Sequence, residues 1–135
     1  MAVLTTHRHR GTQPFTVVMR AAIIGLTLAT AAIHATLGGT LFLMNAIGYT
    51  ALAIALVLPG PLARIRWLTR WALIGFTAVT IGGWLMFGAR FDLAYLDKGI
   101  EVALIGLLLL ESWIVDGGPL GAVRRARRIA GSILG

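Results

Sequence analysis

The sequence predicts an all-α, polytopic membrane protein: four transmembrane helices in an antiparallel bundle, with both termini in the cytoplasm. Three observations lead there. Of 135 residues, 58% are hydrophobic and 13% charged, against roughly 45–50% and about 25% in an ordinary soluble domain. Four apolar blocks, at 15–36, 40–58, 68–88 and 93–115, are each long enough to cross a hydrocarbon core of roughly 30 Å. Finally, the cations are segregated along the chain in the way that orients membrane helices.

Each element has its own signals. Residues 1–14 form a basic tail carrying His7, Arg8, His9 and Arg10. The first span follows and ends at Gly38-Gly39, a turn pair. The second runs to Pro59-Gly60-Pro61, which no helix continues through. Residues 88–92, Gly-Ala-Arg-Phe-Asp, separate the third span from the fourth. Residues 116–135 form a basic amphipathic tail, with Arg124, Arg125, Arg127 and Arg128 on one side and Leu120, Val123, Ile129, Ile133 and Leu134 on the other. That pattern suits a helix lying at the membrane surface on anionic lipid headgroups. No internal repeat is evident.

Arg8, Arg10, Arg20, Arg64, Arg66, Arg70 and the four tail arginines make ten of the 12 basic residues, and all fall on one side of such a bundle. Only Arg90 and Lys98 fall toward the other, so the positive-inside rule puts the termini in the cytoplasm. Trp67, Trp71 and Trp113 sit near that boundary, with Trp84 and Tyr95 toward the opposite one, as interfacial aromatics do. The basic start and Ala29-Thr30-Ala31 also imitate a cleavable secretory signal. The apolar run is long for a signal, and its polar positions match those of the fourth span, so the first span is expected to be retained.

The fourth span is unusual in carrying Asp97, Lys98, Glu101 and Glu111. At about 100° per residue, Glu101 falls about +40° and Glu111 about −40° from Asp97, so the three acids share a face with Leu104, Leu108 and Val115. On the first span, Arg20 falls about +40° from His34, with Ile23, Thr27 and Thr30 on the same line. Arg20–His34 and Asp97–Glu111 are equal separations, about 21 Å along antiparallel helices. The expectation is a polar seam in which Arg20 meets Glu111 and His34 meets Asp97 or Glu101. Unpaired, each charge near the bilayer centre costs about 2.5–3.5 kcal/mol even on lenient scales. Lys98, about 100° off the acidic face, is expected to snorkel to the outer interface as an anchor.

Milder polarity occurs at the same depth. Asn45 and Tyr49 on the second span and Thr77, Thr80 and Trp84 on the third form a candidate outer-half pocket, or else a set of interhelical hydrogen bonds. Ala21, Gly25, Ala29, Ala51, Ala55, Gly75, Gly82 and Gly83 are expected to support close helix packing. His34 invites haem, but two-histidine ligation needs a second intramembrane imidazole, and His7 and His9 are in the tail, beside arginines that repel a metal cation. No cofactor and no metal are therefore expected, with haem or quinone kept as alternatives.

Cysteine is absent, removing disulfides and thiolate chemistry, and Ser112 and Ser132 lie in no nucleophile-elbow context. An enzyme is thus the least supported class. Nucleic-acid binding is also disfavoured, because the tail arginines follow a membrane span directly and no binding fold accompanies them.

The segments LFLMNAIGY and YLDKGIEVALIGLLLLE, in the second and fourth spans, resemble small four-span prokaryotic membrane proteins without an assigned activity. The resemblance implies the same fold and a bacterial or archaeal cytoplasmic (inner) membrane, and carries over no functional residue. Fluoride channels and small multidrug exporters share the size, but the glycine-arginine pattern of the former and the first-helix glutamate of the latter are missing. The leading expectation is a non-enzymatic accessory or structural subunit, partnered by the lipid bilayer and by other membrane subunits or its own copies. A homo-oligomeric ion- or proton-coupled transporter and a lipid-, quinone- or haem-binding bundle are the alternatives.

Overall fold

The computed structural model describes residues 12–134, so His7, Arg8, His9 and Arg10 of the basic tail lie outside the described residues. The described chain is all-helical: α1 (Thr12–Leu37), α2 (Thr40–Val57), α3 (Pro61–Arg64), α4 (Arg66–Phe87), α5 (Asp92–Asp116) and α6 (Gly118–Leu134).

Local chemistry sets the breaks. Gly38 and Gly39 have φ of 71° and 85°, left-handed values that side chains resist, and the chain reverses there. Pro59 forces Leu58 out of the helical region, to φ −62° and ψ 134°, which ends α2. Pro61 then opens α3 from the position where its missing N–H costs nothing. This single turn was not expected, and α4 begins two residues before the anticipated span. Asp92 lies in the first turn of α5, favourable to the helix dipole. Gly117, left-handed at φ 76°, ends α5 with its N–H on Ser112 O, and α6 starts at once.

The four long helices close into a ring in which α1 and α4 each pack against both α2 and α5, while α6 packs on α5. Met19, Ile23, Ala31, Tyr49, Leu56, Leu73, Leu104 and Leu108 form the apolar core. Gly48 admits the ring of Phe76 so closely that a Cβ there would sit 2.5 Å from it. Of the other small residues, Ala29, Ala55 and Gly82 are half-buried and the rest face outward. Ala21, Gly25, Ala51, Gly75 and Gly83 are exposed, and a methyl added at Gly25, Gly75, Gly82 or Gly83 would meet nothing within 4 Å.

Three helices are long and apolar enough to cross a membrane: α1 from Pro14 to Leu37, α2 and α4. The 25-residue α5 carries more charge. Its charges beyond the exposed Asp92 nevertheless point inward, since Asp97, Lys98, Glu101, Glu111 and Asp116 are buried while Leu96, Val102, Leu109, Leu110, Trp113 and Ile114 are exposed. Polar groups inside and large apolar groups outside invert the arrangement of a water-soluble domain.

Candidate functional site: two buried charge clusters

The first cluster gathers around Glu101. Its Oε1 accepts from Tyr49 Oη at 2.8 Å and Thr80 Oγ1 at 3.0 Å, and its Oε2 from Lys98 Nζ at 2.5 Å. Asp97 Oδ1 accepts from Thr30 Oγ1 at 2.6 Å, and Asp97 Oδ2 lies 3.0 Å from Lys98 Nζ. His34 completes the group, with Nδ1 3.7 Å from Asp97 Oδ1 and Nε2 4.0 Å from Glu101 Oε1. Its ring lies between Phe42 and Tyr49, with centroids 6.0 and 5.6 Å away. Phe76 meets the Tyr49 ring edge-on at 4.9 Å.

The second cluster gathers around Glu111. Arg20 donates from Nε and Nη2 to Glu111 Oε1 at 3.1 and 3.0 Å. Arg70 Nη1 lies 3.5 Å from Glu111 Oε2, while Arg70 Nη2 donates to Asp116 Oδ2. Arg125 reaches back from α6, with Nη1 3.1 Å from Asp116 Oδ1. Between the clusters, Ile23, Leu73, Leu104 and Leu108 are fully buried, and Leu104 and Leu108 occupy the α5 face between Glu101 and Glu111.

The structure therefore brings Arg20 to Glu111 and His34 to both Asp97 and Glu101. It differs at Lys98, which is buried between the two acids instead of snorkelling. Two carboxylates 3.0 and 2.5 Å from its ammonium replace the hydration it would otherwise seek, and in a low-dielectric interior they attract it more strongly than they would in water.

The expected outer-half pocket is not formed as a unit. Tyr49 and Thr80 close directly onto Glu101, and Thr77 spends its hydroxyl on Leu73 O at 2.8 Å. Asn45 is half-buried, and no hydrogen bond joins it to the cluster among the described residues. Trp84 lies at the end of α4, donating to Ala89 O at 3.0 Å, edge-on to Tyr95 at 5.3 Å and under the Arg90 guanidinium at 4.3 Å. It secures the turn into α5. In the C-terminal helix Arg124, Arg125, Arg127 and Arg128 are all exposed, and Arg125 in addition pairs with Asp116.

Arg70 and Asp116 were not anticipated as partners. Arg70 had a signal, because it shares a helical face with Thr77 seven residues on. Asp116 had none, lying about 100° from Asp97 on the wheel. Thr30 was on the expected polar line, but its bond to Asp97 depends on how α1 and α5 meet.

Chemically, the Glu101 cluster can bind a small positive charge. Ligating atoms of His34, Asp97 and Glu101 lie within 4.8 Å of one another. Lys98 already supplies one such charge to both acids, and we assign no metal here. Searches of protein-family models, curated proteins and solved structures return no match to this chain.

Proposed function

We propose that this chain is a four-span integral protein of a prokaryotic cytoplasmic membrane, acting as a non-enzymatic accessory or structural subunit of a larger membrane assembly. The fourth span in this reading is α5, whose outward face is as apolar as a lipid contact requires. Both ends of the bundle's chain lie on the cytoplasmic side, where the arginines gather. The exposed Arg124, Arg127 and Arg128 contact anionic headgroups.

One observation carries the subunit reading over transport: the band between the two charge clusters, in which Ile23, Leu73, Leu104 and Leu108 are buried and the hydroxyls of Thr27 and Thr77 are spent on the backbone carbonyls of Ile23 and Leu73. A coupled ion path needs polar groups or water at successive depths. Here each cluster pairs its carboxylates with cations of its own and ties helices together. The Glu101 cluster joins α1, α2, α4 and α5, and the Glu111 cluster joins α1, α4, α5 and α6. Such a bundle presents lipids and neighbours with an apolar, preformed surface.

Native mass spectrometry of the protein released gently from its own membrane, with an absorption spectrum of the same sample, tests this. A stoichiometric foreign subunit and no visible absorption are expected. A colourless homo-oligomer without a partner would contradict the subunit reading and favour transport, and a haem spectrum would favour the cofactor-binding alternative.

A further inference from the structure

The Glu101 cluster has an uneven charge. Its neighbours contribute titratable groups from three helices: His34 from α1, Tyr49 from α2, and Asp97, Lys98 and Glu101 from α5. The α4 helix contributes the hydroxyl of Thr80. Two carboxylates and one ammonium leave a net charge of −1 whenever the imidazole is neutral. That charge would stand alone among side chains that are fully or almost fully buried, an arrangement with a desolvation penalty of several kcal/mol per ion. One added proton makes the cluster neutral.

The hydrogen bonds identify the nitrogen that takes it. His34 Nδ1 lies 2.9 Å from the backbone oxygen of Thr30. A carbonyl only accepts, so Nδ1 carries a hydrogen in either charge state. The exchangeable position is then Nε2, which faces Glu101 Oε1 at 4.0 Å. In a neutral ring a lone pair would face a carboxylate oxygen; in the cation an N–H does. Both acids flank the ring, and the Phe42 and Tyr49 rings lie beside it.

We propose that His34 Nε2 is a proton-binding site served from the Glu101 end of the bundle alone. A proton leaves hydronium in the water at that end and forms the Nε2–H bond, and the reverse transfer releases it. Access is short, because His34 lies within one turn of the end of α1 at Leu37 and beside the half-exposed Phe42. The layer of Ile23, Leu73, Leu104 and Leu108, with the Thr27 and Thr77 hydroxyls donated to backbone carbonyls, stops the proton before the Glu111 cluster. Since the acids sit on α5 and the imidazole on α1, proton loss weakens the contact between those two helices, so the bundle responds to acidity on one side of the membrane. This goes beyond the subunit reading; only the assignment of that side as the outer one rests on the topology proposed above.

The test uses full-length protein labelled with 15N-histidine in sealed liposomes, with His7 and His9 signals identified by their loss in His7→Gln and His9→Gln. His34 is expected to show two ring N–H groups when the outside solution is acidic and one when it is alkaline. Changing the inside pH alone should leave it unaltered. Glu101→Gln removes one negative charge and should leave a neutral His34 throughout; if that variant does not fold, Asp97→Asn makes the same change. A wild-type His34 that stays neutral, one that follows the pH on both sides of the membrane, or a response abolished by added sodium or zinc ions would each overturn the proposal.

Discussion

Glu101 is a carboxylate whose surroundings were built for it. Tyr49 and Thr80 hydroxyls and the Lys98 ammonium all donate to it, and hydrogen bonds to charged groups are worth about 1.5–3 kcal/mol each. Tyr49→Phe keeps the ring against Phe76 and His34 and removes only the donor. It should lower stability by about 1–3 kcal/mol in a reversible unfolding assay in bicelles, the lower end reflecting the modest yield of hydrogen bonds inside membranes. An unchanged stability would mean that the hydroxyl does not serve Glu101. At this scale the sequence was informative wherever angle alone decides. Arg20, His34, Asp97, Glu101 and Glu111 lie on two narrow stripes, and stripes of opposite charge on antiparallel helices have few ways to meet. Lys98 differs from expectation because its angle and its closeness to the helix end point to the outer interface, whereas its side chain is long enough to bend back to two acids on its own helix. Asp116 was illegible because its partners, Arg70 and Arg125, come from helices whose placement no period encodes.

Helix ends were legible where backbone chemistry is strong. Gly38-Gly39 and Pro59-Gly60-Pro61 break helices irrespective of tertiary context, and the chain breaks there. The facing of each helix was less so. Glycines in membrane helices often mark close packing, yet Gly75 and Gly83 face outward, and the close approach between α2 and α4 occurs at Gly48 against Phe76. Which small residue is used depends on the ring order of the helices, which only the assembled bundle shows. Gly48→Ala would place a methyl against the Phe76 ring, whose displacement disturbs Tyr49 and through it Glu101. Overpacking of this kind costs about 1–3 kcal/mol. The variant should lose stability by that amount, and Phe76→Leu added to it should restore most of the loss. Equal destabilisation in the single and double variants would show that the contact between these helices is not limiting.

The whole molecule is organised around charges that face inward. The acids of the central part of α5 have partners across the bundle, Lys98 pairs with two of them, and the faces of the long helices turned outward are largely apolar. Composition revealed the membrane class, because no arrangement of so apolar a chain could be covered by its few charges. It could not separate three spans from four: α5 resembles a spanning helix on its outward face and an ordinary polar helix when averaged all round. The pairing of its acids with α1 and α4 resolves that ambiguity in favour of a helix within the bundle, and hence, in the account proposed here, of a helix crossing the bilayer. The natural absence of cysteine makes the decisive measurement direct. Ala89→Cys, in the turn before α5, and Ser132→Cys, in α6, are both exposed positions, and each can be labelled in intact cells and in inverted vesicles with a membrane-impermeant maleimide. Labelling of position 89 from outside and of position 132 only from the cytoplasmic face is the expected result. Both positions reacting from the same side would place α5 on the membrane surface and contradict the four-span bundle.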